Sequence, residues 1–311
     1  MSIPADKVIE LCDAWYASVA SPSGNISIGT ESEKFRLFNN GVKFHQLELD
    51  AFRASCVGLS KVLLLPGLNT FIVEDHVGLW SWGAELMLHM DSGVFTQDEM
   101  ELQKLFETCA RAALSNCNTK YYENLSREEQ SDADKTKDLL ISHHSKYFLQ
   151  NAHLTLAYLS FPLLEGVCKK IASEYISMDG LVKKEFSAPP RKEGQTPRLY
   201  KVGQTCSSLR DLLFLMYELN PSEELNLIRE HLSSLHTGQD AFDVVYSWRN
   251  QSLHGSTSYQ TIGGTIFNLA LLLLTAKFEN SYNEKRQLVL DHCIRISSWD
   301  VKPHFSYYPP R

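Results

Sequence analysis

The sequence predicts a mainly α protein in two parts: a small α+β domain over residues 1–120 and an all-helical, antiparallel bundle over residues 121–311. Three observations carry this. Apolar residues recur at helical spacing through most of the chain beyond residue 135. Before residue 75, short apolar runs alternate with turn residues as strands do. Between these regions, residues 118–131 are polar and charged and read as a boundary or hinge.

Taken in order, Ala5 to Val19 reads as a helix. Lys34 to Phe38 and Val42 to His45 read as hairpin arms around an Asn39-Asn40-Gly41 turn. Lys61 to Leu65 and Thr70 to Val73 read as a second strand pair across Pro66-Gly67-Leu68-Asn69. Trp80 and Trp82 read as buried packing. A second helix opens at Thr96, where Glu99 completes a capping box, and runs to about Cys117 with Leu102, Leu105, Phe106, Cys109 and Ala113 on one face. Beyond the boundary, where Ser126 to Glu129 is another capping box, helices are expected over Leu139 to Tyr147, His153 to Tyr175, Leu209 to Leu219, Glu224 to Leu235, Ala241 to His254 and Thr265 to Glu279. Pro189-Pro190, Pro197, Asn220-Pro221, Gly238 and Gly263-Gly264 are the expected breaks, and the last dozen residues, with Pro303, Pro309 and Pro310, read as a tail.

The composition supplies real cores, with 43% of residues hydrophobic. The longest apolar stretch, Ile266 to Ala276, carries Asn268 and is too short for the roughly 20 residues a bilayer span needs, so no membrane is expected. The first residues show no positive stretch followed by an apolar run, and a cytoplasmic location is expected. The seven cysteines form no Cys-x-x-Cys pair, and neighbouring His143 and His144 point apart on a helix; neither a disulfide framework nor a metal site is expected, and no cofactor. A net charge of −7 argues against a protein that coats nucleic acid through bulk electrostatics. The acidity is concentrated in residues 1–120, whereas Lys183, Lys184, Arg191, Lys192, Arg198, Lys201 and Arg210 make one local stretch basic.

The stretch with the most chemistry is Arg249-Asn250-Gln251-Ser252-Leu253-His254-Gly255. Ala241, Val244, Val245 and Trp248 form the stripe that faces the bundle, and Arg249 and Asn250 follow on its flank. Asn250 and His254, four residues apart, stack on one helix face. Arg249 and His254 are five residues apart, about 140° around an ideal helix, so convergence on one phosphate needs the long reach of Arg or a helix that ends near the His, as Gly255 favours. A permanent cation holds a phosphate, an amide orients an imidazole, and an imidazole moves protons near neutral pH. The bland reading is a His at a helix C-terminus and an Arg snorkelling beside a Trp. Arg-to-His spacings also occur at Arg229 to His236 and Arg286 to His292; the amide after Arg249 and the Gly after His254 set this one apart.

Arg-Asn-x-x-x-His-Gly in a late helix of a helical domain resembles the HEPN superfamily over roughly residues 135–280. Residues 1–120 carry no such resemblance. The resemblance implies a metal-independent endoribonuclease of the toxin or defence type, acting on single-stranded RNA as a homodimer with a composite active site. Carried over, Arg249 clamps the phosphate, Asn250 orients His254 or the phosphate, and His254 is the acid/base. Attack by the 2′-OH then yields a 2′,3′-cyclic phosphate and spares DNA. The basic stretch, with Lys183, Lys184, Arg191, Lys192, Arg198 and Lys201 and with Tyr200 as a stacking ring, is the candidate RNA-holding surface. Glu165 reads first as a solvent-facing side chain and second as a polar partner of Arg249. The alternative is a non-catalytic HEPN module that binds RNA, nucleotide or a partner protein.

Overall fold

A computed structural model of the chain describes residues 3–19, 30–64, 73–115, 151–191, 194–235, 238–253, 260–297 and 306–308. Its helices run over Ala5–Val19 (α1), Thr30–Glu33 (α2), Leu49–Leu63 (α3), Glu74–Leu88 (α4), Met100–Ser115 (α5), Ala152–Ile171 (α6), Leu209–Leu219 (α7), Glu223–Leu235 (α8), Ala241–Leu253 (α9), Gln260–Leu274 (α10) and Tyr282–Ser297 (α11). Among the described residues one antiparallel strand pair accompanies them, Phe186–Ala188 (β1) and Arg198–Tyr200 (β2), in the register Phe186 opposite Tyr200.

The architecture is organised around α10. Its residues Ile266 to Leu274 are apolar on every side except Asn268, and every one is buried, because α6 and α3 both lie against it. Gly263 makes the closest crossing possible: a Cβ there would lie 2.9 Å from the backbone nitrogen of Ala157 on α6. The Gly263-Gly264 pair, expected as a helix break, therefore sits inside α10, where its lack of side chain serves packing. Asn268 is satisfied from both sides, accepting from Trp80 Nε1 at 2.6 Å and donating to Ser60 Oγ at 3.1 Å, which ties α10 to α4 and α3. Around this centre α1 packs on α3, α5 on α6 and α4, and α7, α8 and α9 on one another. The apolar core is continuous from Val8 to Tyr307 and includes Trp80 and Trp82.

The strands expected between residues 34 and 64 do not form. Lys61-Val62-Leu63 is the last turn of α3, whose buried Phe52, Ser55, Cys56, Leu59 and Val62 follow a helical period. The Asn-Gly turn signal is correct, but its flanks are 3₁₀ turns, Phe38–Asn40 and Phe44–Gln46, with Gly41 at φ +74°. The amides there donate to a buried carboxylate instead of a strand: Asp75 accepts from Leu37 N at 2.8 Å and Phe38 N at 2.7 Å. The described part of residues 1–120 is thus helical rather than α+β, and the strands that do form lie in the basic stretch expected as a loop. Of the second expected pair, Val73 caps α4, and Leu65 and Thr70 to Ile72 lie outside the described residues.

The capping box at Thr96 is present, with Glu99 accepting from Thr96 N at 2.9 Å, and the expected helices at α1, α7, α8 and α9 form within a residue of their sequence limits. The boundary at 118–131, the Ser126 capping box and the helix Leu139 to Tyr147 lie outside the described residues. α11 has few apolar positions and was not expected from the sequence pattern. Part of the expected tail is tied down: Glu85 accepts from the backbone N–H groups of Tyr307 and Tyr308, and Tyr307 donates to Glu107 at 2.7 Å. No single helix among the described residues is long and apolar enough to cross a membrane.

Candidate functional site

Helix α9 presents the motif. Its inner face, with Ala241, Phe242, Val244, Val245, Trp248 and Ser252, is buried, which leaves Tyr246, Arg249 and Asn250 along one open edge. His254 and Gly255 follow α9 and lie outside the described residues, and with them the expected stacking of His254 on Asn250. Arg249 is 30% exposed, donates to the Asn250 side-chain oxygen at 3.4 Å and lies 4.0 Å from Glu165 Oε2. Both distances are long for a guanidinium, which therefore keeps donors to offer.

Glu165 does not face solvent as the sequence suggests. Its side chain is 19% exposed, and it stands between Lys169 Nζ at 2.8 Å and Arg249. The helical spacing of Glu165 and Lys169 explains the tighter pair, and the crossing of α6 and α9 supplies the looser one. Sequence alone could not rank these, because only the crossing brings Arg249 within reach.

The sequence pattern did not single out Tyr246. It lies one turn before Asn250 on the same edge, a spacing that could have flagged it. The polar groups of Asn250 and Arg191 near its hydroxyl, with the positive charge of Arg191 and Arg249, hold its pKa below the ordinary phenol value. The Arg191 guanidinium carbon lies 4.7 Å from the centroid of the Tyr246 ring.

Arg191 is delivered by a buried anchor. Arg210 donates to the carbonyls of Pro189 at 2.9 Å and Pro190 at 3.1 Å, to Asp211 at 2.9 Å and to Asp243 on α9 at 2.5 Å. Asp243 and Tyr246 are three residues apart, so the segment that Arg210 holds against the first ends with Arg191 on the second. Arg210 is structural here, not a free surface cation.

The rest of the basic stretch disperses. Lys183 donates to Ser173 O at 3.2 Å, Lys184 stands 4.4 Å from the Tyr175 ring centroid, and Lys201 is exposed. Arg198 lies over Tyr200 at 4.7 Å. Lys192 lies outside the described residues. Tyr200 is not the open stacking ring expected: it is 2% exposed, stacked on Phe186 and donating to Asp211 at 2.7 Å, because β1 and β2 turn it inward. Among the described residues of the expected RNA-holding surface, Arg191 is the one brought against Tyr246 on the motif helix.

Beside Arg249 opens a cleft of about 380 Å³ between α5, α6 and α9. Its walls are apolar, from Leu102, Leu105 and Phe161, with Tyr158 and Met178 at the rim and Arg249, Lys169 and Glu165 at one end. Ser252, one turn beyond Trp248, also lines it; its hydroxyl is buried and has no hydrogen-bond partner among the described residues. Among the described residues no group of three His, Cys, Asp or Glu is placed to hold a metal ion. No family model matches the chain, and no curated protein or solved structure matches it either.

Proposed function

We propose that the chain is a metal-independent endoribonuclease with a HEPN-type site, in which Arg249, Asn250 and His254 act on single-stranded RNA. The observation that carries this is Arg249, a half-open guanidinium at the mouth of a cleft, held loosely by Asn250 and Glu165 on the helix that leads into His254. A phosphate arriving there replaces weak contacts with charge-assisted ones. Tight internal pairing would have argued against it.

In the reaction the 2′-oxygen attacks the adjacent phosphorus and gives up its proton, the bond to the 5′-oxygen breaks, and that oxygen takes a proton. The products are a 2′,3′-cyclic phosphate and a 5′-hydroxyl. His254 is the proton carrier, Arg249 stabilises charge on the non-bridging oxygens, and Asn250 orients the guanidinium or the imidazole. Each chain has one such motif, and pairing of two chains places two motifs in one composite cleft.

Cleavage of mixed RNA and DNA in EDTA by the wild type, Arg249→Ala and His254→Ala tests this. Metal-free RNA cleavage lost in both variants supports it, and undiminished cleavage by either overturns it. The net charge of −7 favours a second reading, a module that binds RNA, nucleotide or a protein without cutting, and binding without cleavage by the wild type would select it.

A further inference from the structure

We infer that the cleft between α5, α6 and α9 is a nucleobase subsite, which takes the base of the nucleotide whose phosphate lies on Arg249. The inference rests on the ribonuclease reading for what the bound nucleotide does, not for whether it binds.

The cleft is shaped for one planar ring with polar edges. Leu102, Leu105 and Phe161 supply apolar walls, and Tyr158 and Met178 stand exposed at the rim, where a ring and a thioether can close over a flat group. Gly166 keeps the wall close, since a Cβ there would lie 2.5 Å from Leu102 Cδ1 and drive that side chain into the space. The volume, about 380 Å³, lies at the low end of single-ligand pockets. It suits one nucleotide rather than a folded strand.

Within these walls lies a polar group the protein leaves unused. The Ser252 hydroxyl is buried without a partner, a state that costs free energy unless a ligand relieves it. A hydroxyl that gives or accepts matches the mixed edge of a nucleobase; a fatty chain would leave it unsatisfied. The charges complete the match. Arg249 and Lys169 lie beside Glu165, and Glu101 also lines the cleft; a phosphate that displaces Glu165 meets both cations beside an apolar wall, as a nucleotide is anionic at its phosphate and apolar on its base faces.

Titration calorimetry with the four nucleoside 3′-monophosphates and with inorganic phosphate tests this on the full chain. At least one mononucleotide should bind ten times more tightly than inorganic phosphate. Ser252→Ala should weaken it about tenfold without lowering the melting temperature, because the hydroxyl has no partner to lose in the free protein. Leu105→Trp, which fills the cleft, should bring mononucleotide binding down to the level of inorganic phosphate and spare phosphate binding. Equal affinity for phosphate and all four mononucleotides, or variants that bind as the wild type does, would overturn the subsite. Mapped RNA ends separate the two readings. Cleavage with the same base preference in Leu105→Trp overturns the subsite and leaves the ribonuclease standing, whereas base-selective binding with no cleavage supports the subsite and overturns the ribonuclease.

Discussion

The crossing of α10 with α6 and α3 and the open edge of α9 treat their polar groups in opposite ways. At the crossing, Asn268 is buried and bonded on both its oxygen and its nitrogen, to Trp80 and Ser60. On and beside α9, Arg249 makes only long contacts, and Ser252, equally buried, makes none. An unmade hydrogen bond in the interior costs about 1–3 kcal/mol, so a buried hydroxyl left open beside a loosely held cation gives an arriving group something to relieve. Ser160 on α6 is also buried and unpaired among the described residues, so what points to α9 is the meeting of an unpaired hydroxyl, an open cation and a cleft.

The contrast breaks most sharply if Arg249 proves structural. Arg249→Ala should lower RNA cleavage by about 10²–10³-fold, the usual cost of removing one donor to a developing anion. Its melting temperature should stay near the wild-type value, because the guanidinium is partly exposed and reaches Glu165 and Asn250 only at long range. A variant that unfolds early would move Arg249 to the side of Asn268.

The same contrast explains what the sequence made legible. The stripes of α1, α5, α7, α8 and α9 are regular enough to fix those helices, and the Arg-Asn-x-x-x-His spacing singles out α9. Three failures share one cause, that a short apolar run shows no period of its own. Lys61 to Leu63 looks like a strand until the helix behind it is followed back to Leu49. The arms around Gly41 look like a hairpin until Asp75, far along the chain, takes their amides. Tyr200 looks like a surface ring until Phe186 pairs across from it. Glu165 and Arg191 reach the site through helix crossing and the Arg210 anchor, which no local pattern encodes.

Next in size is an acid effect on the satisfied side. His76 is fully buried, its Nδ1 accepts from Val73 N at 3.2 Å and its Nε2 faces the Leu59 carbonyl at 3.3 Å, so only the neutral ring fits. Burial lowers its pKa to about 4. Its share of stability is whole above pH 6.5 and falls as the pH drops toward 4, where the unfolded chain binds a proton that the folded one refuses. Asp75 beside it is pushed up to about 6 by burial and acts in the opposite sense below that pH, so the His76 contribution must be read by difference. Relative to His76→Gln, the wild type should lose about 1.4 kcal/mol per pH unit in denaturant titrations below pH 6.5. A pH-independent difference would mean that the ring is protonated in the fold.

Gly263→Ala probes the crossing itself. The new methyl would meet the Ala157 backbone, which cannot turn aside as a side chain can, and overpacking of this kind costs about 1–3 kcal/mol. The denaturant midpoint should fall with an unchanged slope. An unchanged midpoint would show α6 and α10 sliding apart freely, and the crossing would then be no stiffer than the α9 edge.

The smallest effect tests the open side from within. Glu165 shares its carboxylate between Lys169 and Arg249, and an arriving phosphate must compete with it for both cations. Glu165→Gln keeps the shape and removes the competitor, so inorganic phosphate should bind a few times more tightly, with a steeper loss as salt rises. Stability should change by less than about 1 kcal/mol, since partly exposed ion pairs contribute little. The same substitution at a pair that only holds the fold would weaken the protein and gain nothing in anion affinity. Tighter phosphate binding at unchanged stability therefore assigns Glu165 to the unsatisfied side of the molecule, as a carboxylate that occupies the two cations until a phosphate displaces it.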